Sequence, residues 1–317
     1  MLSVITLTFR RNEQLRNLIS SVCDSLEYVS GLPSQNKKDN LALSNVELVV
    51  VDMDAEDKGA RDSLETFINS YRHRPVLKYV QIQTAPGGDK RSTLPLAQAR
   101  NLGVECSKGR HLAFVDVDCM VSPDFFLSLL EYSKNYVSRS SDDTSAIRMG
   151  YPRYLPYVPV DHSFSDCVVD AVIHPGRSKL RNQKDLRWQD FWSLCFFMSR
   201  QAFAKIGGFD EGFSGYGGED TDFAKRANAA GMRFDMRGPE VLHQYHTKMD
   251  PPINYLEDIA HNCNYYRQKW NELPMLKWLK AMSSEGYINK DFQTDGITVE
   301  RLPSKLELAE KVSVNPY

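Results

Sequence analysis

The sequence predicts an α/β fold in which a mixed, mainly parallel sheet is flanked by helices and followed by a helical C-terminal extension. Three observations lead to this prediction. Four apolar runs rich in β-branched residues alternate with helical patterns over the first 120 residues, which is typical of parallel strands joined by crossover helices. The later stretch WSLCFFMSRQAFAKIGGF adds another strand followed by a helix. Beyond about residue 255 the pattern is helical and then irregular.

The predicted elements follow one another in chain order. The four strands are LSVITLTF, VELVVVDMD, LKYVQIQT and RHLAFVDVD, and the helices between them are NEQLRNLISSVCDSLEYV, SLETFINSY and LPLAQARNLGVECS. The first helix repeats apolar residues at helical spacing: Leu15, Leu18, Ile19, Val22 and Leu26. Residues 145–195 predict loops with one or two strands. DTDFAKRANAAGM predicts a helix that ends at Gly231, and RFDMRGPEVLHQYH predicts a final strand.

Composition narrows the class of protein. The 317 residues are 25% charged and 42% hydrophobic, which is typical of a folded globular chain. A net charge of −2 argues against a nucleic-acid partner. The six cysteines form no C-x-x-C pair and predict buried thiols in a reducing compartment. The N-terminal apolar run ends at Arg10 and is too short for a signal peptide or a membrane span, so we expect a cytoplasmic protein.

Polar side chains stand where three of the predicted strands end. These ends carry residues 8–11, 52–54 and 116–118. Ligands of parallel sheets bind outside the carboxyl ends of the strands. The topology therefore predicts that the three strand ends converge on one ligand-binding crevice.

A metal site is predicted from two short motifs. Asp116 and Asp118 form a D-x-D motif, whose hard carboxylate oxygens suit Mg²⁺ or Mn²⁺, although a solvated turn is the plain alternative. His243 and His246 in VLHQYH follow a predicted strand and would complete a mixed carboxylate and histidine site, which favours Mn²⁺. Either histidine alone would be interpreted as an ordinary hydrogen-bonded residue.

The stretch GYGGEDTDF crowds acids beside glycines. Glu219 and Asp220 precede a predicted helix, and a carboxylate held there in a dry pocket can take a proton from a hydroxyl nucleophile. The alternative is helix capping, because acids favour the first turn. Capping explains one acid, but it does not explain the preceding G-Y-G-G.

Taken in order, these motifs resemble a known family. VITLTFRR, VVVDMD, LAQARNLG, FVDVDC and GGFDEGFSGYGGEDTDF, followed by a histidine, resemble GT-A-fold glycosyltransferases of family 2 whose C-terminal half is similar to β-1,4-galactosyltransferases. The resemblance covers roughly residues 1–250. It implies a GT-A, Rossmann-like domain over 1–250, with a nucleotide-binding half at 1–120 and an acceptor-binding and catalytic half at 121–250, and a helical extension over 251–317.

The resemblance also implies roles for individual residues. The nucleotide-sugar site would comprise Thr8, Arg10, Asp52, Asp54, Arg100 and Asp116. The metal would be held directly by Asp118, with Asp116 and with His243 or its rival His246. The acceptor would be bound by Tyr216, Gly217, Gly218 and Glu219, and Asp220, beside Glu219, would be the catalytic base. Tyr216 stands where β-1,4-galactosyltransferases use tryptophan, so the acceptor preference stays open.

The function implied is an inverting, metal-dependent transfer. A sugar would pass from a UDP-sugar to a hydroxyl of a saccharide or glycolipid acceptor, in polysaccharide or oligosaccharide synthesis, with Mn²⁺ or Mg²⁺ as cofactor. A nucleotidyltransferase is one alternative, but it leaves GGED and the downstream histidine without a task. A non-catalytic nucleotide-sugar-binding protein is the other, and the intact acids argue against it.

Two segments have predicted accessory roles. YYRQKWNELPMLKWLKAM mixes aromatic and basic residues, so it is predicted either to contact the inner face of a membrane peripherally or to pack on the catalytic domain. Pro274 interrupts the pattern and favours packing. APGGDKRST and residues 151–165 are predicted lids over the donor.

Overall fold

The computed structural model describes residues 1–32, 46–54, 60–82, 94–138, 146–313 and 315–317. The predicted lid APGGDKRST therefore lies outside the described residues. These residues form strands β1 (Leu2–Thr8), β2 (Val46–Asp52), β3 (Val76–Gln81), β4 (His111–Val115), β5 (Cys119–Val121), β6 (Ala146–Met149), β7 (Tyr151–Tyr154), β8 (Val172–Ile173), β9 (Cys195–Ser199), β10 (Arg233–Asp235) and β11 (Glu240–His243).

The described helices, also numbered in chain order, are α1 (Asn12–Ser30), α2 (Ala60–Asn69), α3 (Leu96–Cys106), α4 (Phe125–Ser138), α5 (Phe164–Cys167), α6 (Arg200–Ile206), α7 (Glu219–Ala229), α8 (Leu256–Trp270), α9 (Leu276–Ser284), α10 (Phe292–Asp295) and α11 (Lys305–Glu310). Short 3₁₀ turns occupy Trp188–Asp190 and Ile253–Tyr255.

A seven-stranded sheet forms the centre of the molecule, in the order β10-β6-β9-β4-β1-β2-β3. The four N-terminal strands pair in parallel, as predicted, and β9 runs antiparallel between β4 and β6. Strand β2 is buried throughout, because apolar clusters cover both faces of the sheet. The mixed, mainly parallel α/β architecture predicted from the sequence is confirmed.

A second, four-stranded sheet was not foreseen as a separate unit. Its order is β5-β11-β7-β8, and it brings the strand after the D-x-D motif beside the strand that ends at His243. The chain passes from the first sheet to the second at Gly150, where a Cβ would lie 2.8 Å from the Cys195 sulfur. Residues 145–195 thus hold three complete strands before β9 rather than the one or two predicted.

The prediction that RFDMRGPEVLHQYH forms one final strand was wrong. It divides into β10 in the first sheet and β11 in the second. The break falls at Gly238 and Pro239. Proline has no N–H to donate to a ladder, and the Gly238 amide donates instead to the Met149 carbonyl at 2.9 Å.

The C-terminal helices build a further apolar cluster around Ile259, Leu279 and Met282. Tyr216, which belongs to the loop at residues 214–218 that we call the glycine-rich loop, packs against this cluster. The segment YYRQKWNELPMLKWLKAM was predicted either to contact a membrane or to pack on the catalytic domain, and its apolar side chains pack in this cluster. Its membrane contact stays a prediction. The boundary at residue 250 also stays a prediction. Within the part of the chain that the structure describes, no helix has the length and apolar character needed to cross a bilayer.

Candidate active site

The D-x-D motif occupies a turn rather than a continuing strand. Strand β4 ends at Val115, and the Cys119 amide closes the turn by donating to the Asp116 carbonyl at 2.9 Å. The two carboxylates consequently meet different partners. Asp118 faces the histidines of the second sheet, whereas Asp116 lies 3.9 Å from Arg100.

Asp118, His243 and His246 come together in a compact cluster. The two carboxylate oxygens of Asp118 lie 3.6 Å from His243 Nε2 and 3.4 Å from His246 Nε2. One ligand atom from each of the three residues lies within 4.8 Å of the others. The antiparallel pairing of β5 with β11 creates this proximity, because it sets Cys119, the neighbour of Asp118, opposite His243.

The donor set of this cluster fits a divalent transition ion. Burial lowers the pKa of His243 to about 4, so its imidazole is neutral at physiological pH and can act as a ligand. His243 Nδ1 is buried without a hydrogen-bond partner, and His246 Nδ1 lies 3.2 Å from the Thr247 carbonyl oxygen. In the tautomer that donates from Nδ1 to this carbonyl, His246 Nε2 is free to bind a metal. One carboxylate with two imidazoles suits Mn²⁺ better than Mg²⁺. Asp116 is outside the cluster.

Arg100 links the D-x-D turn to the acids of the glycine-rich loop. Its guanidinium is buried and donates to Glu219 Oε1 at 3.1 Å and to Ser193 Oγ at 3.0 Å. Burial in the cleft raises the pKa of Asp116, an effect that Arg100 opposes, although 37% of the Asp116 side chain is exposed. Arg100 therefore holds the predicted nucleotide side and the predicted acceptor side of the site in one network.

Glu219 and Asp220 begin helix α7, yet neither caps it. The N-cap is Gly218, in a left-handed conformation with φ of 93°. Glu219 is 6% exposed, and its Oε2 is buried without a hydrogen-bond partner. Asp220 accepts hydrogen bonds at Oδ1 from the Thr221 amide and hydroxyl. Burial, then the neighbouring Glu219, raises the pKa of Asp220 to about 6. The capping alternative is thus not what the structure shows.

Helix α8 holds the loop that precedes the acids. The buried amide of Asn262 donates to the carbonyls of Ser214 and Gly217, at 2.9 and 2.8 Å, and its oxygen accepts from the Ser214 amide at 3.1 Å. Asp258 accepts from the Tyr216 amide at 3.2 Å. Sequence reasoning missed both residues, because nothing in an amphipathic helix marks an asparagine as the partner of a distant loop.

Gly215 provides a test of this packing. Its φ is 74°, and a Cβ there would lie 2.2 Å from Asp258 Oδ2. We expect Gly215→Ala to lower the free energy of unfolding by about 3 kcal/mol, from backbone strain plus displacement of Asp258. Gly231→Ala is the matched control, since its φ is 78° but its Cβ would meet nothing within 4 Å. It should cost only about 1 kcal/mol. Equal losses in urea titrations would contradict a loop clamped by Asp258.

Tyr216 lines a pocket of about 380 Å³, together with Ile253, Tyr255 and Leu308. Its ring stacks on Tyr255 with centroids 4.5 Å apart, and Trp278 lies 6.3 Å away. One face of Tyr216 is therefore covered by the C-terminal extension. Gly217 and Gly218 both have φ of 93°, which lets the chain turn tightly from Tyr216 into helix α7.

The ends of β1 and β2 lie side by side, because Thr8 pairs with Asp52 in the parallel register. Thr8 Oγ1 is buried without a hydrogen-bond partner. Arg10, at φ of 53°, donates to Asp54 Oδ2 at 2.7 Å. Asp52 accepts from the Asp54 amide at 2.9 Å and from the hydroxyl of Tyr79, a residue that sequence reasoning missed.

The predicted site residues thus form three neighbouring groups at the carboxyl edge of the sheet. The strand-end group is Thr8, Arg10, Asp52 and Asp54, the cluster is Asp118 with both histidines, and the Arg100 network joins Asp116 to Glu219. Both histidines join the cluster, so the rivalry between them is not resolved in favour of one.

Comparison with known proteins agrees with this architecture. The chain belongs to glycosyl transferase family 2, whose family model matches residues 3–207. A second family model, described as the N-terminal domain of galactosyltransferase, matches residues 175–250, which include the glycine-rich loop and His243.

Individual relatives are distant. Validoxylamine A glucosyltransferase of Streptomyces hygroscopicus subsp. jinggangensis is 24% identical over 77% of this chain and 58% of its own length. The chain thus spans little more than half the length of that relative. S. aureus TarS 1–349 superimposes with a TM-score of 0.53 at 15% identity, over 93% of this chain and 74% of its own. GalNAc-T7, solved with UDP, GalNAc and Mn²⁺, gives 0.51 at 17% identity, over 90% and 54%.

Proposed function

We propose that the chain is an inverting, metal-dependent glycosyltransferase that moves a sugar from a UDP-sugar to a hydroxyl of a saccharide or glycolipid acceptor. The Arg100 network carries this proposal. The network joins Asp116, which is two residues from the candidate metal ligand Asp118, to Glu219, the buried member of the acid pair that begins helix α7. A nucleotide-binding protein without turnover would not need a second carboxylate pair, with Glu219 buried, linked to the D-x-D turn through Arg100.

The donor would bind at the strand-end group and the metal cluster. The unpartnered hydroxyl of Thr8 and the carboxylate of Asp52 supply hydrogen-bonding groups for a nucleoside. Asp118, His243 and His246 would hold Mn²⁺. When bound, such an ion neutralises charge on the donor's diphosphate as it leaves. GalNAc-T7 supports the pairing of UDP with Mn²⁺ in this fold.

Asp220 would act as the base. Its Oδ1 is fixed by Thr221, which orients the carboxylate. A carboxylate whose pKa is raised to about 6 is still ionised at neutral pH and accepts a proton more readily than an ordinary aspartate. Glu219 is held by Arg100, so it is suited to positioning an acceptor hydroxyl rather than to taking its proton.

The acceptor would bind between Tyr216 and the 380 Å³ pocket beside it. Aromatic rings stack on the apolar faces of sugars, and the Tyr216–Tyr255 pair offers such a surface. The acidic side chains of Glu257 and Asp258 also line the pocket and would suit hydroxyl donors of a saccharide.

The raised pKa of Asp220 predicts the pH dependence of the reaction. The base is active only when deprotonated, so kcat/KM should fall with decreasing pH with a midpoint near 6, above the range of an ordinary aspartate. Initial rates measured between about pH 5 and 8 would check this. An acid limb at the ordinary aspartate pKa would contradict a desolvated base.

The experiment that tests the function is a donor scan. Release of UDP is measured from a panel of UDP-sugars, with and without Mn²⁺, for the wild type and for Asp118→Ala. Metal-dependent release from one donor, lost in the variant, is the expected result and names the sugar. Metal-dependent UDP binding without release from any donor would favour the non-catalytic binding protein. Release of pyrophosphate from UTP and a sugar phosphate would favour the nucleotidyltransferase.

A further inference from the structure

Arg177 is a buried cation that forms no ion pair with any acidic side chain of the described residues. Three arginines of the described residues are buried: Arg100, Arg148 and Arg177. Arg100 pairs with Glu219 and Arg148 pairs with Asp235, both at 3.1 Å. Arg177 is only 3% exposed, yet no carboxylate oxygen of the described residues lies within 4.0 Å of it. Burying an unpaired charge costs several kcal/mol, so it is rarely kept without a use.

The contacts of Arg177 orient its guanidinium without neutralising it. The guanidinium carbon lies 3.3 Å from the centre of the Trp192 ring, a close stacking contact. Nη1 donates to the backbone carbonyl of Asp190. The carboxylate of Asp190 is engaged by Arg187 instead, at 2.9 and 3.1 Å. The charge of Arg177 is therefore held rigidly, and no carboxylate of the described residues forms an ion pair with it.

Ring contacts and a hydrogen bond connect the surroundings of Arg177 to the candidate metal cluster and to the Arg100 network. Trp192, on which it stacks, precedes Ser193, the hydroxyl that binds Arg100. On the other side, a row of aromatic rings leads from Trp192 towards the histidines. The Trp192 ring lies 5.3 Å from that of His174, and the Tyr154 ring lies 6.3 Å from that of His174 and 5.1 Å from that of His243.

The carboxylates of Asp190 and Asp220 both act on the charge of Arg177 from beyond ion-pair distance. Burial lowers the pKa of Arg177 to about 10, which leaves the side chain protonated at neutral pH. A cation is therefore held on Trp192, beside the aromatic rings that lead to the candidate metal ligands and within electrostatic reach of the candidate base.

We propose that Arg177 binds the β-phosphate of the donor's diphosphate. This inference rests on the proposed function and adds the residue that would share the leaving-group charge with the metal site. In the transfer, the bond from the anomeric carbon to the β-phosphate oxygen breaks and its electron pair stays on that oxygen. The acceptor oxygen forms the new bond, and its proton passes to Asp220. A guanidinium matches phosphate geometry with two parallel N–H donors, which suits a fixed, stacked arginine.

Sequence reasoning missed Arg177, because a lone arginine in the irregular stretch HPGRSKLR carries no local signal. Only the structure marks Arg177 as a candidate site residue, because it shows the side chain buried with no ion-pair partner among the described residues.

The test compares the binding of UDP with that of uridine by calorimetry, in EDTA and then with Mn²⁺. The variant is Arg177→Met, which removes an unpaired buried charge and should therefore fold with an unchanged or higher Tm. We expect UDP binding to weaken about 10- to 100-fold, the worth of a charged hydrogen bond, with uridine binding unchanged. Arg177→Gln should show the same difference.

Arg187→Gln is the matched control, because Arg187 contacts Asp190 from the exposed side and should leave UDP affinity unchanged. Equal UDP affinity in the wild type and Arg177→Met would overturn the inference alone. An equal loss of affinity for uridine and UDP, with a lowered Tm, would assign Arg177 a structural role and would also overturn the inference. Failure of the wild type to bind UDP would instead refute the proposed function.

Unchanged UDP affinity, together with weakened binding of a UDP-sugar that carries a carboxylate, would overturn the β-phosphate assignment. That result would place the anion on the transferred sugar.

Discussion

Asp220→Asn is expected to lower kcat about 100- to 10 000-fold, which is the usual contribution of a positioned general base. UDP affinity should stay at the wild-type value, because among the described residues the Asp220 carboxylate forms hydrogen bonds only with Thr221. Asparagine keeps the size and the hydrogen bond to the Thr221 amide but cannot take a proton. Steady-state kinetics combined with UDP titration separate the two effects.

Asp222→Asn is the matched control for this prediction, since Asp222 lies in the same helical turn. Its buried carboxylate binds Arg226, Lys269 and the Trp270 indole at 2.7 to 2.8 Å. Its loss should lower stability by about 2 kcal/mol with a far smaller change in kcat. If Asp220→Asn kept a wild-type kcat, the acceptor proton would have to go to another group, and the assignment of the base would be wrong.

Loss of the candidate metal ligands is expected to have the second large effect on the reaction. Asp118→Ala should weaken Mn²⁺ binding and reduce turnover about 100-fold or more, because the carboxylate is the central group of the cluster and its only anionic member. His243→Ala and His246→Ala should both weaken Mn²⁺ binding, since each ring nitrogen lies within 4.8 Å of the other ligand atoms. Titration of Mn²⁺ followed by electron paramagnetic resonance measures this directly, without turnover.

His261→Ala is the control for the histidine variants, because His261 lies on helix α8 with an exposed side chain. It should bind Mn²⁺ as the wild type does. The two site variants also decide between the rival histidines. A wild-type Mn²⁺ affinity in one of them would remove that histidine from the ligand set, and a wild-type affinity in Asp118→Ala would reject the cluster as a metal site.

Much of the architecture is local and was therefore predictable from the chain. Strands β1, β2 and β4 are runs of apolar residues that are buried between layers of helices, and their composition alone marks them. The D-x-D and GYGGED motifs predicted two pairs of candidate site acids, Asp116 with Asp118 and Glu219 with Asp220, because such motifs are defined by residue type and spacing within a few positions. Parallel pairing then brings strand ends to one edge, which predicted Thr8 beside Asp52.

The remaining features depended on contacts between residues far apart in the chain. The histidines reach Asp118 only because β5 pairs with β11 in a second sheet, and no local pattern sets the order or register of distant strands. Asn262 and Asp258 support the glycine-rich loop from more than 40 residues away. Arg177 differs from an ordinary surface arginine by its burial, without an ion-pair partner in the part of the chain that the structure describes. Residue types and periodicity thus predicted most of the elements and the kinds of candidate catalytic group. Tertiary packing decided which of them meet, because burial and register are properties of the whole fold.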